Sequence, residues 1–170
     1  MAILKVLKHP DPKLRKTAEK VTDFNDELNT IIANMLETMD AEKGIGLAAT
    51  QVDIHKQIIT INTSKEGKEE ENKIIINPQV ISKGDTIETT EEGCLSIPGV
   101  HENVNRPNKI HIKYQDKQGN DQELHASGLL AVCIQHEIDH LNGVLFIDHL
   151  SIFKRKKIEK QYKKISENRE

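Results

Sequence analysis

A His-Glu-x-x-His motif at residues 136–140 restricts what this chain can fold into more than any other feature. On an α-helix, His136 and His140 lie one turn apart on the same face, so both imidazoles can reach one metal ion. Glu137 lies beside them, where its carboxylate could carry a proton. The motif therefore predicts a helix that binds a metal through two of its side chains.

The helix that carries the motif is predicted to be buried. Ser127 can cap its start and Gly143 can end it. Its apolar residues are Leu129, Leu130, Ala131, Val132, Ile134, Ile138 and Leu141. Two histidines and a glutamate on such a helix would be costly without partners, which favours a metal site over polar residues at the edge of the core.

Two imidazoles need a third protein ligand, and the residues near the motif do not readily supply one. Phe146 stands where one group of zinc proteases has its third histidine, and His149 comes three residues too late. Glu159 lies where other zinc proteases place a glutamate, but we expect it to pair with neighbouring lysines on an exposed helix. Cys133 shares the histidine face. A metal held by both histidines would lie about 7–8 Å further along the helix axis, which is too far for a cysteine side chain to reach.

Cys94 is the preferred third ligand. It lies in the segment Glu-Glu-Gly-Cys-Leu-Ser-Ile-Pro-Gly at 91–99, where Gly93 lets the backbone bend and Pro98 ends a regular strand. A thiolate presented from such a bend could meet the histidine pair. Considered on its own, Cys94 would be better interpreted as a buried, inert thiol, and the ligand role is preferred because the histidine pair has no better third partner.

A second unusual segment, Gly-Ile-Gly-Leu-Ala-Ala-Thr-Gln, occupies residues 44–51. Small residues let a backbone approach a ligand closely, and Gln51 offers an amide N–H that can donate to a developing oxyanion. The segment is not a dinucleotide fingerprint, because it lacks the third glycine spacing and follows a helix. A tight connection between a helix and a strand is the alternative interpretation.

Hydrophobic periodicity predicts an α+β domain. Strands and helices do not alternate regularly, so we expect antiparallel or mixed strands packed around the central metal-bearing helix, with a C-terminal helix, instead of a doubly wound sheet. Residues 1–150 are predicted to form a catalytic metallohydrolase domain and residues 151–170 a basic helix that extends it. The other expected elements are a helix over 24–44, strands over 55–63 and 73–82, and a hairpin over 109–126.

Composition excludes several classes of protein. Aromatic residues make up 3% of the chain, so a stacking platform for single-stranded nucleic acid is not expected. Two cysteines are too few for a disulfide scaffold. Neither a signal peptide nor a membrane-spanning apolar run is evident, which predicts a cytoplasmic protein with reduced thiols. Neither a membrane nor DNA is an expected partner.

The segments GIGLAATQ, EGCLS and QHEIDH occur here in that order, and together they resemble the peptide deformylase family. The resemblance covers nearly the whole chain, including the hairpin before the motif helix and the C-terminal helix. It implies a metal-dependent hydrolase that removes the N-formyl group from the initiator methionine of nascent polypeptides and releases formate. The competing hypotheses are a zinc endopeptidase and a structural metal module that binds ribosomal RNA.

The resemblance implies one divalent metal ion per chain. Its ligands would be Cys94, His136 and His140. In the family the ion is commonly Fe²⁺, while Zn²⁺, Ni²⁺ or Co²⁺ can occupy the site, and the ligand set alone would suggest zinc. Glu137 would take a proton from the attacking water and pass it to the leaving amine. Gln51 and the backbone N–H of Leu95 would stabilise the oxyanion.

The resemblance also implies how the peptide binds. Backbone groups of Ile45, Gly46 and Gly93 would pair with the extended peptide as an added strand. The methionine pocket would be lined by Ile45, Leu129, Val132 and Cys133, with Glu92 and His136 nearby. Such an apolar, polarisable pocket suits a thioether side chain. Lys43 and His101 depart from a glutamate and an arginine that many relatives carry near the mouth of the cleft.

The C-terminal segment is basic. Residues 151–170 contain eight Lys or Arg against three Glu, although the whole chain has a formal net charge of -3. Deformylases with a C-terminal helix dock near the ribosomal exit tunnel, so residues 152–167 are predicted to contact ribosomal RNA phosphates. A solvated, charged helix without a partner is the alternative.

Overall fold

The computed structural model describes residues 2–64, 68 and 71–168, so the last two residues of the predicted basic segment lie outside it. The described residues form three α-helices and seven strands. The helices are α1 (Asp26–Ala41), α2 (Gly128–Leu141) and α3 (Ile152–Glu167). The strands are β1 (Gly46–Ala48), β2 (Ile58–Ile61), β3 (Lys73–Lys83), β4 (Ile87–Cys94), β5 (Ile97–Pro107), β6 (Lys109–Gln115) and β7 (Asp121–Ser127).

Two antiparallel sheets organise the molecule. Five strands follow the order β1-β2-β3-β6-β7, and β4 pairs with β5 in a separate two-stranded sheet. The large sheet lies between two helices, because alternate residues of its strands face opposite sides. Ile58 packs in the core cluster that contains α1, whereas Ile59 packs in the cluster that contains α2. The predicted α+β fold, with strands packed around the motif helix, is confirmed.

A glycine lies at the start of the motif helix α2 and another just beyond its end. Gly128 has a φ of 62° and turns the chain from β7 into α2, and Gly143, at a φ of 74°, ends the helix as predicted. Ser127 occupies the cap position, but its side chain makes no capping hydrogen bond to the described residues. Ser127 is therefore at the predicted cap position, but the predicted capping hydrogen bond is not formed.

The C-terminal helix α3 packs on β5 along one apolar face. Ile158 and Tyr162 are buried in a cluster with Ile97 and Val100. Ser151 caps the helix by accepting a hydrogen bond from the Lys154 N–H at 3.2 Å. Among the described residues, each helix is too short or too polar to span a lipid bilayer.

Asp148 joins the N-terminal segment to the start of α3. Its carboxylate accepts hydrogen bonds from Arg15 Nη2 at 3.1 Å and from the Leu145 N–H at 3.0 Å, and it lies 3.1 Å from Arg155 Nη1. Burial raises the pKa of Asp148, but these hydrogen bonds and charges outweigh burial and lower it below its ordinary value of 3.8.

A substitution of Asp148 should therefore have a pH-dependent effect on stability. We expect Asp148→Asn to lower the free energy of unfolding by about 1–2 kcal/mol at pH 7, a value reduced for partial exposure. A lowered folded-state pKa contributes stability above the ordinary pKa, and this contribution is lost as pH falls through the folded-state value. Urea unfolding from pH 7 to pH 3 should thus show the two proteins converging in acid. A constant difference across that range would contradict the assignment.

Candidate active site and metal centre

An open cleft of about 400 Å³ contains residues from all three sequence motifs. Its volume lies within the range of small-ligand pockets. Lys43 and His101 also line it. The predicted site residues in its lining are Ile45, Gly46, Gln51, Glu92, Gly93, Cys94, Leu95, Leu129, Val132, Cys133, His136 and Glu137. His140, the remaining predicted residue, is buried against Cys94 and His136.

The three predicted metal ligands converge on one point. His140 Nε2 lies 3.3 Å from Cys94 Sγ and 3.2 Å from His136 Nε2. Tetrahedral ligands at zinc distances would be roughly 3.3–3.7 Å apart, so the donors need only small adjustments to hold an ion. One sulfur and two imidazole nitrogens form a donor set suited to a late transition metal. These residues therefore fit a divalent cation.

A bulge directs Cys94 toward the histidines. The pairing of β4 with β5 shifts register between Glu92 and Cys94, and a bulge of this kind re-aims a side chain. The Ser96 N–H donates to Cys94 Sγ at 3.4 Å, and Gln51 Nε2 donates to the same sulfur at 3.6 Å. These two contacts hold the sulfur in place beside the imidazoles.

A buried carboxylate orients His136. His136 Nδ1 lies 2.9 Å from Glu92 Oε1, so the Nδ1–H donates to Glu92 and Nε2 faces the other donors. Arg106 donates to both Glu92 oxygens, at 2.6 Å from Nε and 3.0 Å from Nη2. Arg106 Nη1 also donates to Asp139 at 2.9 Å. Glu92 is thus held as an anion, and these contacts lower its pKa although burial acts to raise it.

The electrostatics of the two histidines differ. Burial lowers the pKa of His140 well below the ordinary imidazole value, and the positive charge of His136 adds to this. Burial acts in the same direction on His136, but its hydrogen bonds to Cys94 and Glu92 outweigh burial and raise its pKa well above that value. A cation that binds these donors must therefore displace a proton shared by the cluster.

Glu137 is a buried carboxyl without a fixed partner. It is 4% exposed, and no described residue forms a hydrogen bond with its Oε1. Burial raises its pKa to about 7, His136 opposes the shift, and Glu92 adds to it. A Cβ atom at position 46 would lie 2.6 Å from Glu137 Oε2, so Gly46 makes the space that this carboxyl occupies. A carboxyl poised near neutral pH in a cleft can accept and donate protons during a reaction.

Gln51 and Cys133 take definite places at the cleft. Gln51 Nε2 donates to Ser96 Oγ at 3.1 Å, and its Oε1 accepts from the Ala48 N–H at 2.9 Å, which fixes the amide. Cys133 is buried, and burial raises its pKa to about 12. Its neutral thiol therefore lines the cleft as a small apolar group.

The rejected ligand candidates have other roles. His149 Nε2 lies 2.8 Å from Asp139 Oδ2, and the Phe146 ring stacks on His136 with centroids 6.1 Å apart. Glu159 pairs with Arg155 at 3.5 Å and His9 at 3.6 Å, so the expectation that lysines would be its partners was wrong. Arg155 lies one helical turn away and His9 comes from the N-terminal segment, and both contact the Glu159 carboxylate.

Sequence reasoning missed the buried network of Glu92, Arg106 and Asp139. The alternation of inward and outward residues along a strand was the available signal. Val100, Val104 and Arg106 all occupy inward positions on β5. An arginine at an inward position implies a buried anionic partner. The identity of that partner depends on how β4 and α2 meet, which no local pattern encodes.

Removal of Arg106 should destabilise the fold strongly. Arg106→Ala leaves the carboxylates of Glu92 and Asp139 without their guanidinium partner, and we expect a loss of about 3–5 kcal/mol in unfolding free energy. The exposed Lys13–Asp53 pair provides the control, because Lys13→Ala should cost no more than about 1 kcal/mol. Equal losses in the two variants, measured by urea unfolding, would refute this view of the network.

The fold and the site together define an α+β hydrolase with a three-donor centre beside a poised carboxyl. A sequence model described as polypeptide deformylase matches residues 3–156 of the chain. The chain belongs to the peptide deformylase family, as the three motifs predicted.

Individual relatives match over almost the full length. The peptide deformylase of Pseudomonas aeruginosa is 49% identical over 167 residues, covering 96% of this chain and 98% of that protein. The Stutzerimonas stutzeri enzyme is 48% identical, with 97% of each chain covered. A crystal structure of the Legionella pneumophila enzyme superposes with a TM-score of 0.93 at 40% identity, covering 99% of this chain and 98% of the other. The Ehrlichia chaffeensis enzyme in complex with actinonin gives 0.89 at 39% identity, with coverages of 96% and 98%.

Proposed function

We propose that this enzyme removes the N-formyl group from the initiator methionine of nascent polypeptides and releases formate. Family membership supports the reaction, and the observation that carries it is the unpartnered carboxyl of Glu137 beside three convergent metal donors. Leaving a buried carboxyl unsatisfied costs stability, so a reaction that uses its proton explains its presence. A substrate found on newly made chains implies that the enzyme acts in the cytoplasm.

Cys94, His136 and His140 are proposed to hold one divalent metal ion per chain. When bound, such an ion polarises a carbonyl oxygen and lowers the pKa of a coordinated water. Fe²⁺ is proposed as the ion in the cell because of the family resemblance, with Zn²⁺, Ni²⁺ or Co²⁺ able to replace it. Glu92 and Arg106 serve as positioning residues, because they fix the ring of His136.

Glu137 is proposed as the general base and then the general acid. Its carboxylate takes a proton from the water that attacks the formyl carbon, and it later donates that proton to the departing methionyl amine. The balance is one water consumed, one C–N bond broken, and one formate and one amine formed. With a pKa of about 7, Glu137 can take up a proton as a base and return it as an acid near neutral pH.

The oxyanion that develops on the formyl group is proposed to receive hydrogen bonds from the Leu95 N–H and from Gln51, through the Nε2–H that otherwise makes the long contact to Cys94 Sγ at 3.6 Å. Gln51 is held by Ser96 and Ala48, which keeps its amide at the edge of the donor cluster. Lys8 Nζ donates to the Leu95 carbonyl at 3.0 Å and ties this loop to the N-terminal segment. Preorganised donors of this kind lower the barrier without rearranging during the reaction.

The peptide is proposed to bind between two strand edges. β1 is the edge strand of the large sheet, and β4 pairs only with β5 among the described strands. The backbones of Ile45, Gly46 and Gly93 can therefore pair with an extended peptide as an added strand. The methionine side chain would enter a pocket lined by Ile45, Leu129, Val132 and Cys133, with Glu92 and His136 nearby.

The basic C-terminal helix is proposed to contact the ribosome near its exit tunnel. Residues 152–167 form α3, which we assign to the same domain as residues 1–150 because Ile158 and Tyr162 pack on β5. Its outward side chains can neutralise RNA phosphates, and such binding weakens as salt increases. The exposed lysines are Lys154, Lys156, Lys157, Lys160, Lys163 and Lys164.

A formate assay tests the proposed reaction. Protein purified without air should release one formate for each molecule of formyl-Met-Ala-Ser consumed. Actinonin, which is bound in the solved Ehrlichia chaffeensis relative, should suppress that release. Unformylated peptides spanning the same sequence should remain uncut. Cleavage of those peptides without formate release would instead support an endopeptidase.

A further inference from the structure

A second group of metal-binding side chains lies on the outer face of the large sheet, away from the cleft. His111 on β6 is the direct cross-strand partner of His125 on β7, and Lys113 is the partner of Glu123. Residues two apart on a strand share a face, so Glu123 lies beside the histidine pair. Ile110, Ile112 and Ala126 fill the opposite face and pack in the core. The outer-face group, His111, Glu123 and His125, is therefore held on a rigid, well-packed hairpin.

The donors of the outer-face group lie close together. The His111 and His125 rings stack with centroids 3.9 Å apart and planes inclined by 15°. His111 Nε2 lies 3.9 Å from Glu123 Oε1, and one ligand atom from each of the three side chains lies within 4.8 Å of the others. Tetrahedral ligands at zinc distances would be roughly 3.3–3.5 Å apart. Rotation of the exposed Glu123 and His125 side chains can close this gap.

One donor of the group lacks a hydrogen-bond partner. His111 Nε2 is shielded from solvent, and no described residue forms a hydrogen bond with it. A buried imidazole nitrogen without a partner is unfavourable, and a metal bond satisfies it. Lys113 Nζ approaches Glu123 Oε1 at 3.7 Å, but both side chains are more than half exposed, so solvent weakens that competing pair.

We infer that His111, Glu123 and His125 form a second metal site that takes a divalent late transition ion such as Zn²⁺. Two imidazoles and one carboxylate suit Zn²⁺, Ni²⁺ or Cu²⁺ better than Mg²⁺ or Ca²⁺, which prefer oxygen ligands. None of the three residues lines the cleft. A bound ion would clamp β6 to β7, the hairpin that leads directly into α2. Ion binding at this site therefore stabilises the folded state.

Metal stoichiometry tests the inference. Dialysis of the intact enzyme against micromolar ZnCl₂, followed by elemental analysis, should give one more zinc per chain than His111→Ala or His125→Ala protein binds under the same conditions. Glu123→Gln should raise the dissociation constant of that additional zinc ion roughly tenfold or more. His55→Ala, at a half-buried histidine on a loop outside the group, should match the wild type. Equal zinc content in wild type, His111→Ala and His125→Ala would overturn the proposal.

A second experiment distinguishes zinc binding at the outer-face group from zinc binding in the cleft. Cys94→Ala protein should retain the additional zinc equivalent, because no ligand of the outer-face group is altered. In NMR spectra of the histidine rings of that variant, Zn²⁺ should shift the signals of His111 and His125. If zinc instead shifts only the signals of other histidines, the ion binds elsewhere and the assignment fails.

Discussion

Glu137→Gln protein should fold and bind metal normally, yet release formate about 10²–10⁴-fold more slowly than the wild type. Glutamine has the shape of glutamate but cannot accept the proton of the attacking water. No described residue donates to Glu137 Oε1, so the substitution breaks no fixed contact at that atom. Burial already favours the neutral carboxyl, with a pKa of about 7, so an uncharged amide costs the fold little. The kcat for formyl-Met-Ala-Ser and the metal content are the measurements to compare.

Glu91→Gln supplies the matched control for this result. Glu91 lines the same cleft and is exposed, so its substitution removes the same charge without touching the donor cluster. The control should keep kcat near the wild-type value. Activity of Glu137→Gln within tenfold of the wild type would refute the proton-transfer role.

Cys94→Ala protein should lose both its metal and its activity. Loss of residues that merely orient a ligand weakens metal binding by about 10–100-fold, so removal of a ligand should weaken it further. His136 and His140 remain, but two imidazoles one turn apart leave half of a tetrahedral sphere without protein atoms. Metal content after dialysis should fall from one ion per chain to a small fraction of that value, with formate release lost in parallel.

Cys133→Ala tests whether the loss of metal is specific to the Cys94 sulfur. Cys133 also lines the cleft, but burial raises its pKa to about 12 and keeps it a neutral thiol. Its replacement should leave the metal content unchanged. A similar loss of metal in the two cysteine variants would contradict the assignment of Cys94 as the ligand.

The helical parts of the fold were predictable because helix periodicity is a local signal. The basic helix expected over 152–167 occupies those residues, and α2 ends two residues before the predicted glycine. The β4–β5 hairpin was not predicted. Its strand Ile87–Cys94 carries the exposed polar residues Glu88, Thr89 and Glu91 in place of an apolar alternation, since that sheet has only two strands and packs through β5. Tertiary packing, which the local pattern does not carry, determines this element.

The metal donors were predictable for a chemical reason. Two histidines one turn apart, a glutamate and a cysteine at a backbone bend have few other reasons to occur together, and the structure places all the donors within one sphere. The support behind them was harder to predict. Arg106 reaches Glu92 from 14 residues away and Asp139 from 33 residues away, so strand pairing and helix docking create the network.

The X-ray absorption spectrum of protein loaded with one Zn²⁺ per chain tests the central claim most directly. The claim is that one cysteine sulfur and two imidazoles hold the ion and leave one position for a reactive water. The predicted spectrum contains one sulfur at about 2.3 Å, two imidazole nitrogens at about 2.0–2.1 Å and one further light atom. A first shell without sulfur, or one filled by four protein atoms, would contradict the account.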